Sequence, residues 1–202
     1  MTLQNRVTPD KRIVAEPWRG AFMGNRGGRI HDPASKTLLK RKWASKRWII
    51  CVTEFKDRQR EVMGNGYTEL FFLDEVSALA GGHRPCFECR RSDAKRFADT
   101  WQKTHGAIVG SVADEMDRVL HEERLQTGNR LLPAELSKLP DGAMIKAGEM
   151  ILAKRDGNFR IWSGEGYGTV VDQIDDPVLL TPGSILPVLA NGYEPAWHNS
   201  ID

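Results

Sequence analysis

The amino-acid sequence predicts an α+β fold for this chain of 202 residues. Strand-like runs and helix-like segments follow one another in the first half, without the regular strand–helix–strand alternation of a parallel sheet. Beyond Pro140, short apolar runs are separated by Gly, Pro and Asp, which favours a small antiparallel sheet. Hydrophobic residues make up 40% of the chain and charged residues 28%, so we expect a buried core and not a disordered chain. We predict two units, residues 1–110 and residues 111–202.

Short strands and one hairpin are expected in the first unit. The run Gly24-Asn25-Arg26-Gly27-Gly28 predicts a turn, because Gly and Asn tolerate positive φ, and its apolar flanks favour a hairpin over residues 22–31. The basic segment Ala34–Arg47 fits either a helix or a long loop. The apolar, β-branched run Trp48–Val52 favours a buried strand. The other predicted strands are Ile13–Ala15, Glu61–Met63 and Tyr67–Leu73.

Four segments carry helix signals. Asp74 can cap a short helix over Glu75–Ala80, and the Gly pair at 81–82 can end it. Ser111 can cap the clearest helix, which ends at Leu125. The remaining predicted helices are Ser92–Gln102 and Ile185–Leu189.

The second unit is predicted to be a helix followed by an acidic, β-rich subdomain. Residues 141–202 contain nine acidic and four basic residues, a net charge of −5. The predicted strands are Ala143–Ile145, Met150–Ala153, Phe159–Trp162, Thr169–Val171 and Val178–Leu180.

The N-terminal residues, the lack of a long apolar run and the cysteines favour a cytoplasmic location. The N-terminus lacks the apolar core of a secretory signal, and no run of about 18 apolar residues is present to span a bilayer. Cys51, Cys86 and Cys89 are an odd number, and a chain of this size does not need disulfides. In a reducing compartment, closely spaced cysteines more often bind metal or carry out redox chemistry.

Basic residues are concentrated between Arg26 and Arg60, where eleven basic residues face three acidic ones, a net charge of +8. This asymmetry indicates either a polyanion-binding surface or an ordinary solvated face. Trp43 and Trp48 lie within the segment, where they can stack on exposed bases or pack in the core. The first interpretation predicts nucleic-acid binding, with DNA favoured over RNA. The residues predicted to contact phosphates are Arg26, Arg29, Lys40, Arg41, Lys42, Lys46, Arg47 and Arg84.

The motif Cys86-x-x-Cys89, preceded by Pro85, is the most informative part of the sequence. Two intervening residues let both sulfurs approach one ion at about 2.3 Å, and a following helix places its positive end near the thiolates. The pair can otherwise be two idle buried thiols, or a redox dithiol whose usual βαβ setting is missing here. We predict a metal ion at this motif, with zinc favoured.

Residues 68–91 resemble the second half of an Ada-type metal-binding domain. The similar features are an aromatic strand, an acidic Ala-rich helix, and the run Arg84-Pro85-Cys86-x-x-Cys89, with His83 at a position where that family has Tyr or Phe. Residues 22–31 resemble, more weakly, the first hairpin of shorter members. The resemblance implies a zinc-stabilised hairpin and helix knuckle, meaning a Cys-x-x-Cys turn that leads into a helix, and in some relatives such a domain touches DNA.

The resemblance does not extend to methyl transfer. In methyl-accepting relatives, four cysteines hold the zinc and one of them takes a methyl group from a phosphotriester of the DNA backbone. Only Cys51 lies upstream here, so the first cysteine pair is missing and we do not predict that reaction.

Zinc usually takes four ligands from Cys, His or carboxylate side chains. Cys51 can supply a third sulfur or be a small buried apolar residue. Asp32, His83 and His105 are alternatives to His31 for the fourth position. The predicted ligand set is His31, Cys51, Cys86 and Cys89.

These features favour a zinc-stabilised protein that binds nucleic acid. The alternative is a zinc-dependent hydrolase acting on nucleic acid or nucleobases, either a nuclease using His31 and Asp32 or a deaminase-like enzyme. The Pro85–Cys89 run matches a deaminase half-site, but Glu54 lies one residue too far from Cys51 to be its proton shuttle. A third possibility is partner binding by the acidic C-terminal sheet.

Overall fold

The computed structural model describes residues 2–59, 61–126 and 128–201. It confirms a mixed α+β fold with several sheets and five α-helices. The strands of the first half are β1 Arg6–Val7, β2 Ile13–Val14, β3 Phe22–Arg26, β4 His31–Asp32, β5 Thr37–Leu38, β6 Trp48–Val52, β7 Leu70–Phe72 and β8 Arg84–Pro85. Those of the second half are β9 Met144–Ala147, β10 Met150–Arg155, β11 Asn158–Ser163, β12 Gly166–Val170 and β13 Val178–Leu179. The helices are α1 Glu75–Ala80, α2 Arg91–His105, α3 Val112–Leu125, α4 Pro133–Leu136 and α5 Leu186–Ala190, with a short 3-10 turn at Asn199–Ile201.

Six strands of the first half form one sheet in the order β2-β1-β7-β3-β6-β8. The predicted hairpin over residues 22–31 is wrong, because β3 is a central strand paired with β6 and β7. Gly24 is required there for close approach and not for a turn: a Cβ atom would overlap the carbonyl oxygen of Ile49 and lie 2.8 Å from the ring of Phe72. The predicted return strand Glu61–Met63 is also wrong, since those residues form turns before β7.

The predicted helices are confirmed, with ends moved by a few residues. Asp74 caps α1 and accepts a hydrogen bond from the Ser77 backbone N–H at 2.8 Å. Ser111 caps α3 by accepting a hydrogen bond from the Asp114 N–H at 3.3 Å. Both caps come from residues next to the helices that they begin, which is why the local sequence was sufficient to locate them.

The predicted C-terminal sheet is confirmed as five antiparallel strands in the order β12-β11-β10-β9-β13. Its inner face packs Met144, Ile151 and Trp162 against residues of the first half, including Leu73 and Val76. The hydrophobic cluster around α2 likewise contains residues of α3 and α5. Apolar contacts therefore join residues on both sides of position 110, and the division into units at that point stays a prediction.

Two buried carboxylates connect α1 to the C-terminal part of the chain. The Tyr167 hydroxyl donates a hydrogen bond to Asp74 at 2.7 Å, and the Tyr193 hydroxyl donates one to Glu75 at 2.6 Å. Arg90, just before α2, donates to Glu75 at 2.8 Å. These bonds fix the position of α1 and of the turn that precedes α2.

Within the part of the chain that the structure describes, no helix combines the length and the apolar character needed to cross a membrane.

Candidate metal centre

Strand pairing brings the three cysteines together. Cys51 lies in β6, and β8 pairs with β6 in parallel, with Ile50 opposite Pro85. The Cys86 N–H continues this pairing by donating to the Ile50 carbonyl at 2.9 Å. As a result, the sulfur atoms of Cys51, Cys86 and Cys89 all lie within 4.8 Å of one another.

A tight turn places Cys89 on the same side as Cys86. The Arg90 N–H donates to the Cys86 carbonyl at 3.0 Å, and the Glu88 N–H donates to the Cys86 sulfur at 3.4 Å. Helix α2 begins at the next residue, Arg91, so its N-terminal dipole is close to the turn. Backbone N–H groups and the helix end both favour negative charge on sulfur.

The three thiols influence one another's ionisation. Hydrogen bonding to the Cys86 and Cys89 sulfurs raises the pKa of Cys51 far above its ordinary value, because the proton is held on Cys51. The hydrogen bonds from Cys51 and Cys89 lower the pKa of Cys86 to about 2, because they stabilise its thiolate. A metal ion that binds such a cluster replaces the shared protons.

Three close sulfurs can hold a metal ion. Sulfurs on a tetrahedral zinc are about 3.8 Å apart, given Zn–S bonds of about 2.3 Å, so small side-chain rotations suffice here. Cys51 and Cys86 are each 7% exposed, and Cys89 is half-buried, so the cluster is closed on one side and reachable on the other. Thiolates are soft ligands that suit zinc, copper(I) and iron–sulfur centres.

His31, the predicted fourth ligand, lies elsewhere. It is buried in β4, with Nδ1 2.6 Å from the Thr68 hydroxyl oxygen and Nε2 2.8 Å from the Gly64 carbonyl oxygen. Both ring nitrogens are therefore engaged in holding the loop before β7. Among the described residues, the metal-ligating group contains Cys51, Cys86 and Cys89 without a histidine or carboxylate.

The alternative fourth ligands are also separate from the sulfurs. The Asp32 carboxylate is exposed and accepts hydrogen bonds from the next turn, and the His105 Nε2 lies 2.8 Å from the Ser184 carbonyl oxygen. His83 is fully buried, with its ring 4.9 Å from that of Trp48 and 4.7 Å from that of Phe72. Burial lowers the pKa of His83 well below its ordinary value, because desolvation disfavours the imidazolium.

A pocket of about 240 Å³ adjoins the cysteines. Side chains alternate between the two faces of a strand, so one face of β6, β3 and the chain entering β7 supplies Cys51, Asn25 and Glu69 to this pocket. Glu69 is 3% exposed, and its carboxylate accepts a hydrogen bond from the Met63 N–H at 2.8 Å. Arg58 and Glu88, paired at 2.6 Å, lie at the exposed side.

Sequence reasoning missed Glu69. The alternation between Glu69 and Phe71 was visible and predicts that they share a face, but which strands flank that face depends on the pairing with β3. Glu54, the nearest carboxylate to Cys51 in sequence, is exposed and does not line the pocket.

The predicted phosphate-binding residues divide into two groups. Arg26 and Arg84 are buried. The guanidinium of Arg26 lies 4.1 Å from the ring centroid of Trp48, and that of Arg84 pairs with the Asp117 carboxylate at 2.7 Å. Neither of them belongs to an exposed basic surface. The other six are exposed and are Arg29, Lys40, Arg41, Lys42, Lys46 and Arg47.

No family model, curated protein or solved structure matches this chain. The resemblance to Ada-type domains therefore stays a prediction.

Proposed function

We propose that this chain binds a zinc ion through Cys51, Cys86 and Cys89 and binds nucleic acid through the exposed basic segment 29–47. The observation that supports the zinc site is the grouping of the three sulfurs within 4.8 Å, where the turn after β8 lies beside β6. The zinc would cross-link β6, the turn after β8 and the start of α2. Such a link stabilises the folded state, because the unfolded chain has no preformed site.

Elemental analysis of the purified, tag-free protein tests the zinc site directly. The expected result is about one zinc per chain, with a fall in Tm when a chelator removes it. Absence of stoichiometric metal, together with an unchanged Tm after chelation, would contradict the proposal. Stoichiometric iron or copper would keep the cysteine site and reject the zinc assignment.

Nucleic-acid binding is supported by the exposure of the six remaining basic side chains, which share a strand–loop segment between β3 and β6. Bound phosphates release counterions, so the logarithm of the binding constant should fall linearly with the logarithm of salt concentration. Changing Lys40, Arg41 and Lys42 to Gln should make this negative slope shallower by roughly 2 to 3 for duplex DNA, about one for each lost phosphate contact. Fluorescence anisotropy with labelled DNA and RNA at several salt concentrations measures this slope.

A triple variant with the same change in charge serves as the control. Lys95, Lys103 and Lys138 are exposed and lie outside the basic segment, so their replacement by Gln should leave the slope nearly unchanged. Equal losses in both triple variants would show that only net charge matters. No binding at low salt would reject the proposal, and tighter binding to RNA than to DNA would overturn the predicted preference.

A zinc-dependent hydrolase is the second candidate, and Glu69 is the observation that favours it. When bound by three protein ligands, zinc retains a position for water and lowers the pKa of that water. The buried Glu69 carboxylate lines the same pocket as the three cysteines, where it can accept and return a proton. Asn25, on the same face, can donate hydrogen bonds to a bound substrate.

Replacing Glu69 with Gln tests this candidate. We expect the rate of any zinc-dependent phosphodiester hydrolysis, or of cytosine or adenine deamination, to fall by a factor of about 10² to 10⁴. The zinc content should not change. Glu54→Gln is the matched control, because Glu54 is exposed and lies outside the pocket. Absence of any such activity in the zinc-loaded protein, or equal activity in the two variants, would reject the hydrolase.

A further inference from the structure

A second and larger cavity, of about 530 Å³, lies next to Trp48, away from the cysteines. Its volume is within the range of sites for small ligands. Among the described residues that line this cavity, Asp10 is the one acidic residue, and its carboxylate pairs with Arg12 at 2.8 Å. Five cations against one acid give the lining a net charge of +4. The five cationic side chains are Lys11, Arg12, Arg26, Lys42 and Arg124.

Two buried guanidinium groups lie against Trp48. The Cζ of Arg26 is 4.1 Å from the Trp48 ring centroid and that of Arg124 is 4.5 Å from it. Arg26 is 3% exposed and Arg124 is 8% exposed. Arg26 donates to the Lys11 carbonyl at 2.8 Å, and Arg124 donates to the carbonyls of Gly82 and Lys46 at 2.8 and 2.9 Å. Within the described part of the chain, neither guanidinium has a carboxylate partner.

Several buried donors around this cavity lack a hydrogen-bond partner among the described residues. They include Nε of Arg26, Nη2 of Arg124 and Nε1 of Trp48. Buried polar groups are nearly always paired in folded proteins, so three orphaned donors in side chains that line one cavity indicate a missing acceptor. Burial lowers the pKa of Arg26 to about 9, and that of Arg124 to about 9, because desolvation disfavours these cations; for Arg124 the charges of Asp117 and Glu123 oppose this shift only in part.

The two acidic residues whose charges act on Arg124 have other partners. Asp117 accepts two hydrogen bonds from Arg84, at 2.9 and 2.7 Å. Glu123 accepts hydrogen bonds from the backbone N–H and the hydroxyl of Ser184, at 2.9 and 2.6 Å. These two carboxylates are therefore engaged by Arg84 and Ser184 and form no ion pair with Arg26 or Arg124.

We propose that this cavity binds the phosphate group of a small organic ligand, and that Arg26, Arg124 and Lys11 hold the phosphate. Guanidinium groups suit phosphate oxygens, because they can donate two parallel hydrogen bonds. Arg26, Arg124 and His83 already pack against the Trp48 ring, so the planar part of the ligand lies against the half-buried Trp43, whose ring is 5.3 Å from that of His121. Apolar side chains of the lining, including Leu38 and Leu125, complete the wall. The site does not require the zinc, and it shares Leu38, Lys42 and Trp43 with the basic segment 29–47.

Thermal unfolding of the zinc-loaded full chain provides the test. The probes are inorganic phosphate, AMP, and a decathymidylate with or without a 5′-phosphate. AMP is expected to raise Tm by roughly 5 °C at about 100 times its Kd.

Lys11→Met, which removes a cation at the cavity without shortening the side chain, should weaken AMP binding about tenfold. Lys103→Met is the matched control, since Lys103 is exposed on α2 and lies outside the cavity, and it should leave Kd unchanged.

Trp43→Ala separates the two halves of the site. This change should weaken the binding of AMP and leave the binding of inorganic phosphate unchanged, because only AMP carries a planar ring. A Tm shift with the 5′-phosphorylated oligonucleotide, and not with the unphosphorylated one, would identify a nucleic-acid end as the source of the phosphate.

No Tm rise with any phosphate probe up to about 10 mM, a range that includes weak millimolar binding, would overturn the proposal. Equal weakening by Lys11→Met and Lys103→Met would also overturn it, because the ligand would then lie outside the cavity. Retention of AMP binding in a Lys40→Gln/Arg41→Gln variant, whose two positions lie outside the cavity lining, would show that the cavity binds the phosphate without these neighbouring exposed cations. Loss of AMP binding in that variant, equal to the loss in Lys11→Met, would count against a separate cavity site.

Discussion

Replacing Cys86 with Ser is expected to reduce the zinc content from about one ion per chain to nearly none. A serine oxygen is not ionised at neutral pH, so the variant keeps the shape of the side chain and loses the thiolate that binds the metal. Cys86 is the sulfur that accepts hydrogen bonds from the other two, which makes it central to the cluster. Loss of bound zinc should lower the free energy of unfolding by about 4 kcal/mol when free zinc is roughly 1,000 times Kd.

Two comparisons separate loss of metal from loss of packing. Glu88→Gln changes the same turn at an exposed position that provides no sulfur, so its zinc content and stability should match the wild type to within about 1 kcal/mol. After chelation, wild type and Cys86→Ser should unfold at nearly the same denaturant concentration. A variant that retains one zinc per chain, measured by elemental analysis, would remove Cys86 from the ligand set.

Asp117→Asn is expected to destabilise the protein by about 3 to 5 kcal/mol. The Arg84 side chain is 5% exposed and that of Asp117 is 4% exposed, and they form two hydrogen bonds at 2.9 and 2.7 Å. The neutral amide leaves the Arg84 guanidinium buried without a counter-charge, although this cation still donates to the Pro85 carbonyl at 3.2 Å. Urea unfolding followed by circular dichroism measures the change.

A surface pair and a double variant control for the Asp117 result. Arg118 pairs with Glu115 at 2.6 Å on the exposed face of α3, where solvent screens the charges, so Arg118→Met should cost less than about 1 kcal/mol. The double change Arg84→Met and Asp117→Leu should recover most of the loss, because no buried charge remains unpaired. A single-variant loss below about 1 kcal/mol would show that water or a rearranged partner stabilises Arg84.

Around the metal centre, the features that depend on neighbours in sequence were predicted, and those that depend on strand pairing were predicted only in part. The Cys86–Cys89 turn and the helix after it depend on neighbours in sequence, and the sequence located both. Cys51 was predicted as a ligand beside the alternative of an apolar core residue, and only the parallel pairing of β6 with β8 places its sulfur with the other two. His31 failed to join them because its ring is held by Thr68 and Gly64, in a loop whose position no local pattern indicates.

Charge in the sequence was similarly informative only in part. The excess of basic residues correctly indicated exposed cations on the segment before β6, since long charged side chains usually reach solvent. It could not show that Arg26 and Arg84 lie inside, because burial of a guanidinium depends on a partner supplied from far along the chain, Trp48 for one and Asp117 for the other.

The sequence by itself determined the mixed α+β class, the caps of α1 and α3, the C-terminal antiparallel strands and the Cys86–Cys89 turn. Each of these follows from hydrogen bonds or periodicity within a few residues. The tertiary structure alone decided the central place of β3, the third sulfur, the Glu69 carboxylate beside it and the cationic cavity at Trp48. These features arise where strands and loops distant in sequence pack together, and such packing is set by the whole core and not by any local segment.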